Sequence, residues 1–244
     1  MSPKATGATA LRVFAQLRRD PRTVALLLLV PVVLITLLKY MFVDSPSVFD
    51  RLGAPLLGLF PFIAMFLVTS ITMLRERTTG TLERLMAMPL AKLDLLLGYG
   101  IAFATVAAAQ ATLVSLVAFG LLDLHSTGPR WLVVVLAVSN AILGMALGLF
   151  LSAFARTEFQ AVQFMPAVVL PQILLCGLIV PREQMARLLE IVSAFLPLTY
   201  AYDALQRVSD DLLDARLAFD VAIVLTATLL ALALGAATLR RRTP

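Results

Sequence analysis

The chain has 244 residues, 60% of them hydrophobic and only 14% charged, with a mean hydropathy of +0.94. A soluble domain carries about 25% charge, so an ordinary soluble fold is excluded. The net charge of +5 reports membrane topology rather than a nucleic-acid partner. The single cysteine, Cys176, excludes an internal disulfide and a cysteine-based metal site.

The apolar residues fall in continuous runs near 20, the length a helix needs to cross the hydrocarbon layer. They lack the alternating ten-residue pattern of a β-barrel. The fold class is therefore an all-α integral membrane protein.

Residues 8–20 predict an interfacial amphipathic helix, with a solvated lead-in as the alternative. Leu11, Val13, Phe14, Ala15 and Leu17 share one face, and Arg12, Gln16 and Arg19 the other. Asp20 is placed to cap a new helix, with Pro21 at its first position. Residues 1–21 thus form an N-terminal cytoplasmic element, and 22–244 a transmembrane domain. The charged lead and the apolar run are too long for a signal peptide.

Six spans follow, over residues 22–42, 54–74, 93–121, 131–153, 161–180 and 218–239. Pro31 kinks the first, and Lys39 snorkels at its end. Residues 43–53 read as a loop. Pro55 and Pro61 lie early in the second span. The third is rich in small residues that allow close packing. Trp131 opens the fourth at a membrane interface, and Gly144 and Gly148 form a GxxxG pair within it, a pattern of general close packing. Pro166 and Pro171 predict a broken fifth span. The segment 181–217 is too short in its apolar part to cross, and it re-enters the membrane or lies on its surface.

With the N-terminus inside, 13 of the 20 basic residues fall on inner segments and 6 on outer ones. The positive-inside rule then puts both termini in the cytoplasm. Residues 75–92 become cytoplasmic and 181–217 external.

Little conventional chemistry is visible. The lone His125 cannot build a metal site. The spans show no convincing buried acid or base, which lowers the prospect of an ion-driven transporter. Their neutral polar groups, among them Gln110, Thr112, Asn140, Gln163 and Gln172, read either as helix-to-helix hydrogen bonds or as a weakly polar substrate path. No lysine directly follows a glycine, so there is no P-loop. If ATP drives this protein, a partner chain binds it.

A dense set of charges lies in Arg75-Glu76-Arg77-Thr78-Thr79-Gly80-Thr81-Leu82-Glu83-Arg84-Leu85-Met86, closed by Pro89. Gly80 followed by Glu83 has capping-box spacing, so a short helix starts at 81 and ends at 88. Leu82, Leu85 and Met86 give it an apolar patch beside Glu83 and Arg84. That pattern suits docking into a groove on a soluble partner. A charged loop obeying the positive-inside rule is the alternative.

This stretch, with Gly98 beyond it, resembles the signature of ABC-2-type transporter permeases, in particular the drug-resistance branch typified by daunorubicin/doxorubicin exporters. A second block agrees: Gly177-Leu178-Ile179-Val180-Pro181, then Leu196-Pro197-Leu198-Thr199-Tyr200-Ala201. The chain departs from the family at Ala186-Arg187, where a proline and an aromatic residue often follow the methionine. The resemblance implies a type V exporter-like ABC-2 fold in a bacterial plasma membrane, with six spans, a cytoplasmic coupling helix and external re-entrant helices. It implies two permease subunits, identical or homologous, and separate ABC ATPase subunits that bind ATP and magnesium, so this chain itself needs no cofactor and is no enzyme. The coupling helix would cover 76–88, with Glu76, Arg77, Glu83 and Arg84 for polar contacts, Leu82, Leu85 and Met86 for packing, and Gly80 with Thr81 at the turn. The N-terminal helix would brace the ATPase. Partners would include membrane lipid and a hydrophobic or amphipathic cargo, but no nucleic acid. An ion-gradient-driven transporter and a non-transporting scaffold are the alternatives.

Overall fold

The computed structural model describes residues 2–81, 84–85 and 92–238. Among them there is no β-strand, and six helices are long and apolar enough to cross a membrane. The first helix, α1 (Pro3–Arg19), ends at Asp20. The Asp20 carboxylate accepts from the backbone N–H and hydroxyl of Thr23, at 3.1 and 2.6 Å, and so caps α2 (Pro21–Met41) as its sequence position predicts. These bonds favour the ionised form and hold its carboxyl below the usual range.

Helix α3 (Pro46–Thr78) differs from expectation. Most of the predicted 43–53 loop is helical, and the true connection is only a few residues long. Pro46 occupies the first helical turn, where its missing N–H costs nothing. Pro55 and Pro61 stay inside the helix, both buried. Packed neighbours make such interior prolines tolerable in membrane helices. At about 1.5 Å per residue the helix is roughly 50 Å long, so its ends project beyond a hydrocarbon layer.

Helices α4 (Lys92–Gly120) and α5 (Arg130–Leu151) complete the centre. The α3–α5 pair forms the main packing contact, with Phe62, Phe66, Leu143 and Met145 all buried. Gly144 and Gly148 lie against the backbone carbonyls of Phe62 and Phe66, where any Cβ would collide. The GxxxG pair thus joins helices within one chain.

The fifth span is broken as its prolines predict. Helix α6 (Glu158–Phe164) passes through a π-helical turn at Met165–Val169 into α7 (Leu170–Leu175). It ends short of residue 180, because Gly177 takes a left-handed φ of +104° and turns the chain. A 3₁₀ turn (Arg182–Gln184) leads to α8 (Arg187–Ser193) and α9 (Pro197–Ser209), bent 86° from each other. Leu188, Leu189, Ile191, Val192 and Phe195 are exposed, while α9 buries Leu198, Leu205 and Val208. The last span, α10 (Ala215–Ala237), is capped by Asp214 accepting from the Leu217 N–H at 3.0 Å.

One correction concerns charge within the spans. Asp220, in the first two turns of α10, is fully buried, and Glu76 and Asp94 near the ends of α3 and α4 are nearly so. The expectation of spans without buried acids fails because each of these carboxylates finds a cation or several donors near a helix end. Pairing of this kind makes burial of a charge tolerable.

Candidate coupling site

At the end of α3 the backbone turns sharply. The Thr79 N–H and hydroxyl both donate to the Arg75 carbonyl, at 2.9 and 2.7 Å, which closes the last turn. Gly80 follows with φ +70°. Among the described residues nothing occupies the space where its Cβ would stand. The left-handed backbone conformation selects glycine. The Arg84 N–H donates to the Gly80 carbonyl at 3.1 Å, so helical bonding resumes directly after the turn. The Thr79 and Thr81 hydroxyls meet across it at 3.1 Å. Arg84 is exposed, and Leu85 is half-buried against the main core of this same chain. Of the residues assigned to coupling, Leu82, Glu83 and Met86 lie outside the described residues.

Glu76 sits just before the turn, and the structure buries it. It receives a hydrogen bond from the Gln16 amide at 3.0 Å and pairs with the Arg12 guanidinium at 3.4 Å. Arg12 also donates to the Tyr99 hydroxyl and stands over the Tyr99 ring. Glu76 therefore faces α1, a position that leaves it little surface to present to a soluble partner. Arg12 and Gln16, from the polar face of α1, both reach Glu76, Arg12 half-buried and Gln16 still exposed.

A second tie holds the other end of α1. The backbone N–H of Ser2 donates to both carboxylate oxygens of Asp94, at 3.1 and 3.0 Å, and the Thr6 hydroxyl approaches at 3.4 Å. The two legs of the 75–92 stretch are the end of α3 and the start of α4. Glu76 lies on one, and Asp94 and Tyr99 on the other, so α1 spans both. Arg75 makes a further tie, donating to both oxygens of Glu158 at the start of α6, at 2.7 and 3.0 Å. Arg77 is half-buried, and its Nε has no hydrogen-bond partner among the described residues. An open groove of about 440 Å³ runs beside the turn, lined by Gln16, Leu17, Arg75, Glu76, Thr79 and Thr81 among others.

The residues named as a substrate path do not converge within the chain. Gln110 is buried and donates to the Leu27 carbonyl of α2 at 2.6 Å. Gln172 is buried and donates to the Val168 carbonyl in the π turn at 3.2 Å. Thr112 is half-buried and Gln163 exposed. Asn140 is 2% exposed, has an Oδ1 without a hydrogen-bond partner among the described residues, and lines a small cavity with Cys176 and Tyr202.

Sequence reasoning missed Asp94 and Tyr99 altogether and saw in Arg12 only a solvated charge. An acid in the first turn of a long apolar run was the available signal for Asp94. Nothing local could pair Arg12 with Glu76, because 64 residues separate them.

The architecture is that of a polytopic α-helical membrane protein whose amphipathic first helix straps a charged turn between two spans. The family model for the ABC-2 type transporter matches residues 5–208, most of the chain. The protein belongs to the ABC-2 type transporter family. It is 27% identical to ABC transporter G family member 20 of Dictyostelium discoideum over 157 residues, 64% of this chain and 22% of that protein. It is 27% identical to the probable multidrug ABC transporter permease YbhR of Escherichia coli over 153 residues, 63% of this chain and 42% of the relative. The related permease YbhS matches at 27% over 141 residues, 57% of this chain and 37% of its own length. The chain thus spans less than half the length of these curated relatives.

Proposed function

We propose that this chain is the permease subunit of an ATP-driven exporter that moves a hydrophobic or amphipathic compound outward across the plasma membrane, with both termini in the cytoplasm. The family match over residues 5–208 carries the reading, and the two relatives described as probable multidrug permeases support the cargo class. ATP and magnesium are held by separate ABC ATPase subunits that dock from the cytoplasm. A second permease, identical or homologous, completes the path.

The stretch from Glu76 to 88 acts as the coupling element. Gly80 sets its turn, and Arg77, Thr81, Glu83 and Arg84 supply polar contacts while Leu82, Leu85 and Met86 pack. The internal ties at Glu76 favour a positioning role for that residue, since it holds the turn against α1. Movement of the docked ATPase pair is transmitted through the turn to α3 and α4 together, because α1 is bonded to both.

Co-purification tests this first. The chain is expressed with candidate ATPase subunits and extracted in mild detergent. A stable complex that is lost on charge reversal at Glu83 and Arg84 is the expected outcome. Purification of the permease alone with every candidate would overturn the reading and favour an ion-driven activity. Glu83→Lys and Gly80→Pro should leave the permease inserted but uncoupled. Proline cannot adopt φ +70°, and ATP-dependent export at the normal rate by both variants would remove the coupling assignment.

A further inference from the structure

At the end of the bundle opposite α1, the 3₁₀ turn, α9 and the starts of α3 and α10 enclose an open basin of about 460 Å³. Four guanidiniums line it: Arg51, Arg182, Arg207 and Arg216. Three acids, Glu183, Asp203 and Asp210, share the wall, and Asp214 and Asp220 pair Arg207 and Arg216 from outside it, so the wall offers open guanidinium donors rather than a net positive charge.

Arg182 and Arg207 are held in place, and all four arginines are lightly used. Arg182 donates to the Ser193 hydroxyl at 3.0 Å and to Asp203 at 3.4 Å. Arg207 donates to Asp214 at 2.9 Å. Arg51 forms no ion pair among the described residues, and Arg216 only a 3.5 Å approach to Asp220. Four guanidiniums present roughly twenty N–H donors, and these three hydrogen bonds occupy few of them.

Asp220 explains the placement. It is fully buried, lies outside the basin lining, and stands 3.5 Å from both Arg207 and Arg216. Neither of its oxygens has a hydrogen-bond partner among the described residues. It attracts two guanidiniums from behind without consuming their donors. Beside this charged wall lie apolar residues of the same basin, Leu178, Ile179, Pro181 and Leu212, with Ile179 and Leu212 more than half exposed.

Planar guanidiniums with unused N–H donors recognise phosphate or carboxylate through paired bonds. A free inorganic anion would leave the apolar shelf uncovered. We propose that this basin binds the anionic headgroup, phosphate or carboxylate, of an amphiphile whose apolar chain covers Ile179 and Leu212. The inference rests on the outward orientation proposed above, which puts the basin at the external surface where an amphiphile leaves the path or a leaflet lipid enters it.

The test uses the full chain in phosphatidylcholine nanodiscs, with empty nanodiscs as reference. A fluorescent lysophosphatidate is titrated in, then competed with unlabelled lysophosphatidate, monoacylglycerol and inorganic phosphate. Lysophosphatidate should compete about tenfold or more better than the uncharged monoacylglycerol, as expected for charge-assisted hydrogen bonds. Arg51→Gln should weaken binding about tenfold without disturbing an internal ion pair. Arg130→Gln removes a cation at the same end that lines no part of the basin, and it should change nothing. Equal competition by monoacylglycerol, equal effects of the two variants, or inorganic phosphate binding as tightly as the amphiphile would overturn the proposal. Phosphatidylglycerol built into the nanodisc distinguishes the sources: displacement of the probe identifies a bilayer lipid as occupant, and no displacement an amphiphile delivered from solution or the path. Either result supports the headgroup site. Binding needs no ATPase, so its absence leaves the export reading intact, and failed export with retained binding leaves the site standing.

Discussion

The two ends of the bundle use charge in opposite ways. At the α1 end Glu76 and Asp94 are buried, accept defined hydrogen bonds, and join elements far apart in sequence. At the basin end Asp220 is equally buried but has only long approaches to two arginines that also touch solvent. The first arrangement locks helices together. The second holds side chains ready while leaving their donors open. A buried acid therefore does not by itself report a stabilising pair, and the hydrogen-bond geometry around it separates a strap from a binding wall.

Breaking the strap should have the largest effect. Glu76→Ala leaves Arg12 and Gln16 without their acceptor; with Glu76 buried but Arg12 half-buried and Gln16 exposed, losing these charge-assisted bonds costs about 1.5–3 kcal/mol. Thermal unfolding in detergent should show it, and exchanging the charges, Arg12→Glu with Glu76→Arg, should recover part of the loss. Recovery of nothing would mean that packing of α1, not charge, holds the strap.

Next comes the turn that the strap supports. Gly80→Ala meets no steric obstacle among the described residues but must hold φ +70°, at a cost of about 1–2 kcal/mol. The change should appear as faster proteolysis within 75–92, with the spans intact. An unchanged cleavage rate would show that the turn relaxes freely.

At the basin end, Asp220→Asn should cost only about 1 kcal/mol, because Arg216 is half-exposed and Arg207 keeps Asp214. A loss as large as that of Glu76→Ala would erase the distinction between the two ends.

The smallest effect is in pH. Burial pushes the Asp203 carboxyl up to about 6, against the pull of Arg182, Arg207 and Arg216 and with the repulsion of Asp220. Its folded pKa exceeds its unfolded value of 3.8. Its contribution is therefore full at the acid end and is lost as pH rises through about 6. Asp214 runs the other way but at lower pH: the Leu217 N–H holds it below 3.8, so its contribution is lost only on further acidification, outside this window. The wild type should therefore gain stability between pH 7 and 5. In Asp203→Asn it should vanish, as thermal midpoints at the two pH values would show.

Much of the helical layout was legible in the residues. Apolar runs near 20 marked all six spans, Asp20-Pro21 marked the start of α2, and Pro166 with Pro171 marked the break where the π turn lies. These features depend on neighbours within a few residues. The extension of α3 back to Pro46 was missed because proline and charge look like loop when buried neighbours are unknown. The shape of the turn at Gly80 was foreseeable, since glycine's value there is local.

Hydropathy and helix-breaking residues by themselves determined that the chain is a bundle of membrane helices with a charged turn between the second and third spans, because crossing a hydrocarbon layer constrains each segment independently. Only the tertiary structure decided which charges meet. Arg12 and Glu76, Ser2 and Asp94, and Arg182 and Asp203 come together through packing of distant segments. The electrostatic meaning of a side chain depends on what stands within a few ångströms of it, and no local pattern encodes that.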